Sequence, residues 1–342
     1  MNLFELTRTL IDIESVTNNE KHVGQFLLER LQELCARTGG RAEPMAVDYE
    51  LGRNNILASW GQPVVTLSTH MDTVPPFIAS REDDDSIWGR GACDAKGIIA
   101  AMVAAAERLL AEGLRNFELL FLVGEERDSA GALFAARRAP AGLRYLVNGE
   151  PTENHLALGC KGALRFEVVT RGRMAHSAYP ELGESAIEKL LDVLDDLRKI
   201  DMATDPLLGR STMNIGTIAG GRAPNVIADS ARAEIMFRIV TDADPVRAAV
   251  ARAVAGRAEA NEILCTPAVR LGNLDGLPTT VVSFATDIPS LGPAWGAPYL
   301  LGPGSIHVAH TENERVSKRQ LSEAVEIYTK MVRQMLVAGF KN

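Results

Sequence analysis

Four times between Leu67 and Glu150 a metal-binding side chain stands just past an apolar run or a tight turn. The segments are L-S-T-H-M-D-T-V at 67–74, G-R-G-A-C-D-A-K-G at 89–97, V-G-E-E-R-D-S-A-G at 123–131 and V-N-G-E-P-T at 147–152. A fifth candidate, His310 in G-P-G-S-I-H-V-A-H-T, must return to the same place from far along the chain. In His70-Met71-Asp72 the strand period of two turns both polar side chains to one side. A neutral imidazole is a good zinc ligand, and a neighbouring carboxylate can fix its tautomer. Asp94 follows a glycine-rich turn and precedes a helix. Glu125 and Glu126 are adjacent and can diverge beyond a strand, so one can bind metal while the other stays free for proton transfer. Carboxylates beyond the carboxyl ends of strands match where open α/β sheets keep their sites.

The chemistry implied is metal-assisted hydrolysis. Two ions roughly 3.5–4 Å apart can share a carboxylate and a water whose pKa falls from about 15.7 toward roughly 7. A free carboxylate then passes the proton to the leaving nitrogen, worth roughly 10²–10⁴ in rate. Each piece alone is weak: H-x-D is common, G-R-G-x-x-D is an ordinary turn, and a Glu pair is most often solvated. Order, spacing and flanking context together carry the reading. By contrast, the acidic tract Glu82-Asp83-Asp84-Asp85 reads as a solvated loop. His307 and His310 are three residues apart and on a helix could face one ion, but Gly302-Pro303-Gly304 argues for a loop.

The elements that must position these residues follow from periodicity. Leu3, Leu6, Leu10 and Ile11 mark a first helix. Thr17-Asn18-Asn19-Glu20 fits a capping box for a second helix that ends at Gly39-Gly40. Segments 54–58 and 64–67 read as strands, and Lys96 to Glu112 as a helix with Ile99, Met102, Val103, Ala106, Leu109 and Leu110 on one face. Glu118 to Val123 is a buried strand, Ala130 to Arg138 a helix, and Tyr145 to Val147 a short strand, a β-α-β-α order typical of α/β layers. From Lys161 the texture changes. Segment 163–170 alternates with period two, helices are expected at 185–200 and 245–258, and strands at 212–218 and 231–240. The expected architecture is α/β: a mixed-sheet catalytic domain formed by 1–160 and 270–342, with an inserted α+β domain at 161–269. The later part returns strands at 279–284 and 299–301 and a last helix at 317–337.

Bulk properties narrow the class. The 342 residues are 46% apolar and 23% charged, with a formal charge of −8 and no long basic tract, which argues against nucleic acid. The four cysteines are dispersed without a C-x-x-C pair, a reduced cytoplasmic pattern. No apolar run of 18 or more suggests a membrane span, and the N-terminus does not read as a signal peptide. Cys93, beside Asp94, reads as a small buried filler before a redox-sensitive neighbour.

The motifs S-T-H-M-D-T-V-P, G-R-G-A-C-D-A-K-G, G-E-E-R-D-S-A-G and G-E-P-T, in this order over nearly the full length, resemble one zinc-dependent family. It includes acetylornithine deacetylase, succinyl-diaminopimelate desuccinylase, aminoacylase and the glutamate-releasing carboxypeptidases. The resemblance implies two divalent ions per chain, zinc first, with cobalt or manganese acceptable to the same ligands. It implies His70 and Glu150 on one ion, Glu126 and His310 on the other, Asp94 bridging, Glu125 as general acid/base and Asp72 orienting His70. A cis peptide is expected at Asp94–Ala95. The inserted domain matches the family's lid, through which relatives dimerise. There His176 would stabilise the oxyanion, in a partner subunit's site, and Asn225 and Arg238 would hold a substrate carboxylate. The ending L-G-P-G-S-I-H-V-A-H-T-E-N-E is most similar to the acetylornithine deacetylase branch. An N-acyl amino acid such as N-acetylornithine is therefore the leading substrate; acetylcitrulline, acetyl-lysine, succinyl-diaminopimelate and dipeptides are alternatives. The chain is shorter than many relatives, which leaves the substrate pocket and dimer geometry open. A non-catalytic metal- or amino-acid-binding relative would have lost the proton shuttle or a ligand, and here all are present.

Overall fold

The computed structural model describes residues 1–339, which divide into two compact units: 1–158 with 271–280 and 286–339, and 159–270 with 281–285.

In the first unit, strands lie in the order Arg41–Asp48, Arg53–Trp60, Phe117–Leu122, Val65–His70, Tyr145–Asn148 and Ala297–Leu300. The first two run antiparallel, whereas the four from Phe117–Leu122 to Ala297–Leu300 are mutually parallel and end on one edge. On one face Ala58, Leu67, Leu119, Phe121 and Val147 meet helices Leu3–Asp12, Lys21–Thr38, Lys96–Ala111 and Lys318–Gly339 in one apolar core. Each large side chain buried there contributes roughly 1.5–3 kcal/mol. The other face carries buried polar side chains: Asn55, Thr66, Ser68, Glu118 and Asn148.

Three expectations change. Helix Lys96–Ala111 is not amphipathic: its first eight residues are all buried, because it packs against the sheet, Leu3–Asp12 and Lys318–Gly339 at once. Thr17 and Glu20 form no capping box. The helix begins at Lys21 without a side-chain cap, Thr17 instead donates to Asp72, and Glu20 takes two bonds from Arg53 in a buried ion pair. The edge strand Arg41–Asp48 was not foreseen, since an outermost strand needs no apolar alternation.

In the second unit, Thr212–Gly220, Ser230–Ile239, Gly162–Arg171 and Glu259–Thr266 form an antiparallel sheet in that order. Helices Ala186–Arg198 and Asp244–Val254 cover one face, where Leu190, Val193 and Leu197 pack with Leu164, Phe166, Ile235 and Phe237. The strand Glu259–Thr266 escaped the sequence reading because it is a polar edge with a register shift between Glu262 and Leu264.

Glu118 is wholly buried, with Thr66 bonded to one oxygen and no donor at the other. Burial raises its pKa from 4.5 to about 7, against a small opposing effect of Thr66. The protonated acid is the form the fold favours, so stability present below the unfolded pKa is lost as pH rises toward 7 and stays lost above. Glu118→Gln should therefore gain roughly 2–3 kcal/mol at pH 8 and little at pH 4.5 in denaturant titrations.

Candidate metal centre

The parallel edge delivers the ligands. Val65–His70 ends in His70 itself; Phe117–Leu122 leads through Val123 and Gly124 to Glu125 and Glu126; Tyr145–Asn148 leads through Gly149 to Glu150. Ala297–Leu300 opens the loop that reaches His310, and Asp94 stands at the turn before Lys96–Ala111. Two glycines are required by space. Gly124 has φ of 81°, and a Cβ there would sit 2.8 Å from the Arg53 guanidinium. At Gly149 a Cβ would fall 2.4 Å from Ile98. The Asp94–Ala95 peptide is cis, as the resemblance implied.

Asp94 faces two imidazoles with separate oxygens. His70 Nε2 lies 2.9 Å from Oδ1, and His310 Nε2 lies 3.3 Å from Oδ2 and 3.1 Å from Glu126 Oε1. Two groups share this aspartate, His70–Asp94–Glu150 and Asp94–Glu126–His310, each with ligand atoms within 4.8 Å of one another. Glu150 is buried and its Oε1 has no donor. Burial and neighbouring carboxylates push the Glu150 pKa well up. Nitrogen and carboxylate donors in this arrangement, with an unpaired buried oxygen aimed among like charges, fit two divalent cations with Asp94 between them. The exposed His307 is not part of either group, and neither are His22 and His155.

Asp72 does more than orient His70. The His70 Nδ1 lies 3.0 Å from the Asp72 carbonyl and 3.5 Å from its carboxylate, so Nδ1 carries a proton, and Nε2, which faces Asp94, is the atom that would take a cation. The same carboxylate accepts the Glu125 amide at 3.1 Å, the Glu126 amide at 3.2 Å and the Thr17 hydroxyl at 2.8 Å. Burial opposes ionisation of Asp72, but His70 and these donors hold its pKa down. For Glu125, burial and the nearby Glu150 raise the pKa well above that of an ordinary carboxyl.

Sequence reasoning placed none of Thr17, Arg90, Asp287 and Glu314 at this site, Thr17 being read as a helix cap. Asp287 is buried with no donor in hydrogen-bonding geometry at either oxygen, although the Ser129 hydroxyl stands close, and burial lifts its pKa to about 7. Arg90 and Glu314 stand inside the motifs G-R-G-A-C-D-A-K-G and L-G-P-G-S-I-H-V-A-H-T-E-N-E, whereas Thr17 and Asp287 lie in none. Cys93 is buried with its thiol pKa pushed well up by burial, which suits a filler and not a redox-active thiol.

His176, Asn225 and Arg238 lie in the second unit. His176 pairs with Val226 in an isolated bridge, and the Ser177 amide donates to the Asn225 carbonyl, which brings these two loops together. His176 and Asn225 are exposed, while Arg238 sits half-buried on Ser230–Ile239 opposite Thr212 and Ala163.

Hydrogen bonds that the His310 imidazole donates to Asp94 and Glu126 raise its pKa to about 10, so in the metal-free protein its proton persists at neutral pH. His310 Nε2 would have to release that proton to hold a cation, so affinity for the ion should rise with pH. Calorimetric titration of metal-free protein with Zn²⁺ in two buffers of different ionisation enthalpy should show net proton release. Proton uptake would contradict the assignment.

The chain is similar to several known proteins. A peptidase M20 domain-containing protein of Schizosaccharomyces pombe is 39% identical over 340 residues, covering 97% of this chain and 84% of its own. A "Probable carboxypeptidase" of Aspergillus niger is 36% identical over 364 residues, covering 95% and 88%. The crystal structure of a tripeptidase from Staphylococcus aureus shares the fold, with a TM-score of 0.78, 21% identity and 96% of each chain covered. The model of peptidase family M20/M25/M40 matches residues 66–334, a span that holds every ligand candidate from His70 to His310, and the chain belongs to that family.

Proposed function

We propose that this protein hydrolyses the amide bond joining an acyl or aminoacyl group to a terminal amino acid with a free carboxylate, using two divalent ions, zinc foremost. The observation that carries the reading is Asp94 presenting one oxygen to each of two histidine–carboxylate groups, with Glu125 half-buried beside them. When bound, such ions polarise an amide carbonyl and acidify water. His70, Asp94 and Glu150 would hold one, and Asp94, Glu126 and His310 the other.

Glu125 is the proton carrier of this reading. Its main chain is pinned by Asp72, and burial with the nearby Glu150 raises its pKa well above that of an ordinary carboxyl, which suits it to take a proton and return it to the leaving nitrogen. Asp72 sets the His70 tautomer and holds Glu125 and Glu126 at a fixed divergence. His176 would steady the oxyanion, and Asn225 and Arg238 the substrate carboxylate, to which a guanidinium fork is suited. Edge strand Thr212–Gly220 and exposed Ile218, Leu182 and Tyr179 in the second unit favour a homodimer formed through it.

Two substrate types share this chemistry. The ending L-G-P-G-S-I-H-V-A-H-T favours an N-acyl amino acid of the N-acetylornithine kind, while the name of the A. niger relative favours a peptide cleaved at its carboxyl end. A panel of N-acetyl and N-succinyl amino acids, dipeptides and N-blocked peptides, ranked by kcat/KM on zinc-loaded protein, separates them. Absence of turnover on every member would sink the proposal. Glu125→Gln should lower kcat by roughly 10²–10⁴ while two ions per chain are retained.

A further inference from the structure

The loop that carries His310 continues to Glu314, which folds back beneath the turn that carries Asp94. We propose that Glu314 is a positioning residue that locks these two ligands together and sets the affinity of the Asp94–Glu126–His310 group for its ion. The inference rests on the two-ion reading above.

The Glu314 side chain is 1% exposed, and its two oxygens are shared among donors of one turn. Oε1 accepts the Gly91 amide at 2.9 Å and the Asp94 amide at 3.3 Å, while Oε2 accepts Arg90 Nη1 at 2.5 Å. The Gly89 amide donates to the Glu314 carbonyl at 3.1 Å, so side chain and backbone grip both ends of 89–94. Arg90 is equally buried, and its Nη1 also reaches the Thr311 carbonyl at 3.3 Å, next to His310, while its Nε reaches the Pro76 carbonyl at 3.3 Å. A buried ion pair thus closes a ring between the Asp94 turn and the His310 loop. Such a pair adds little net stability after desolvation, so its gain is in geometry. His310 needs that support, because its φ of 62° lies in the left-handed region that residues other than glycine avoid.

The effect is unequal between the two groups. In Asp94–Glu126–His310, two of three ligands depend on the ring. In His70–Asp94–Glu150 only Asp94 does, since His70 ends a central strand and Glu150 follows another. Loss of a residue that orients metal ligands typically costs about 10–100-fold in affinity, and here it should fall on the second ion.

The test compares R90M/E314M with R90M/E314Q. Both remove the buried charges, and they differ in whether an acceptor stands before the Gly91 and Asp94 amides. Metal-free protein is titrated with Zn²⁺ by calorimetry, with thermal melts as the check on folding. In R90M/E314M the second ion should bind about 10–100-fold more weakly than in R90M/E314Q, with the first ion within about threefold. Equal second-ion affinity in the two variants, or equal loss of both ions, overturns the proposal. If R90M/E314M does not fold, E314D keeps the charge opposite Arg90 but draws the acceptor back by one methylene. It should weaken the second ion at least about tenfold, and unchanged affinity overturns the proposal. Wild-type protein that binds fewer than two ions would refute the two-ion reading itself, independently of Glu314.

Discussion

Asp94, Glu125, Glu126 and Glu150 crowd one strand edge largely out of water, and the rest of the structure answers to their mutual repulsion. Two like charges 4 Å apart at an effective dielectric near 20 repel by about 4 kcal/mol. Without cations the protein meets that cost with protons: His310 is held charged between Asp94 and Glu126, and Glu125 and Glu150 are pushed toward their neutral forms. Divalent ions relieve the same strain, so the cluster that is awkward as a piece of folded protein is suited to be a metal centre.

Holding the cluster takes layers of support. The parallel strands supply direction, since three of them end on one edge and release His70, the Glu125–Glu126 pair and Glu150 there. The N-terminal segment supplies anchors: Thr17 donates to Asp72, Ser15 to the Met71 carbonyl, and buried Lys96 to the Ile13 carbonyl. Asp72 and Glu314 play matching parts, each a buried carboxylate that gathers main-chain amides of ligand-bearing turns. A carboxylate suits that task because it accepts several donors at once and makes strong, charge-assisted bonds.

Much of this was legible from residue order alone. Apolar runs located the central strands and the long helices, and the motif glycines marked turns where no side chain fits, as at Gly124 and Gly149. What differs has two causes, partners distant in sequence and strands at a sheet's edge. Thr17 and Glu20 have the spacing of a capping box, yet Asp72 and Arg53 offer them buried, charged partners that a helix end cannot match. Helix Lys96–Ala111 has an amphipathic count but is enclosed on nearly every side. The edge strands Arg41–Asp48 and Glu259–Thr266 lack alternation because solvent, not a core, lies against much of them.

The sequence by itself determined the chemistry of the centre: which side chains can bind a cation, their order along the chain, and the family they mark. That information is local, because a ligand and the turn that presents it are neighbours in the chain. Only the tertiary structure decided that Asp94 divides its two oxygens between His70 and His310, and that Glu314 ties two ligands to one another. Those facts depend on distances between segments more than 200 residues apart, such as the 220 that separate Asp94 from Glu314, and no local pattern encodes them.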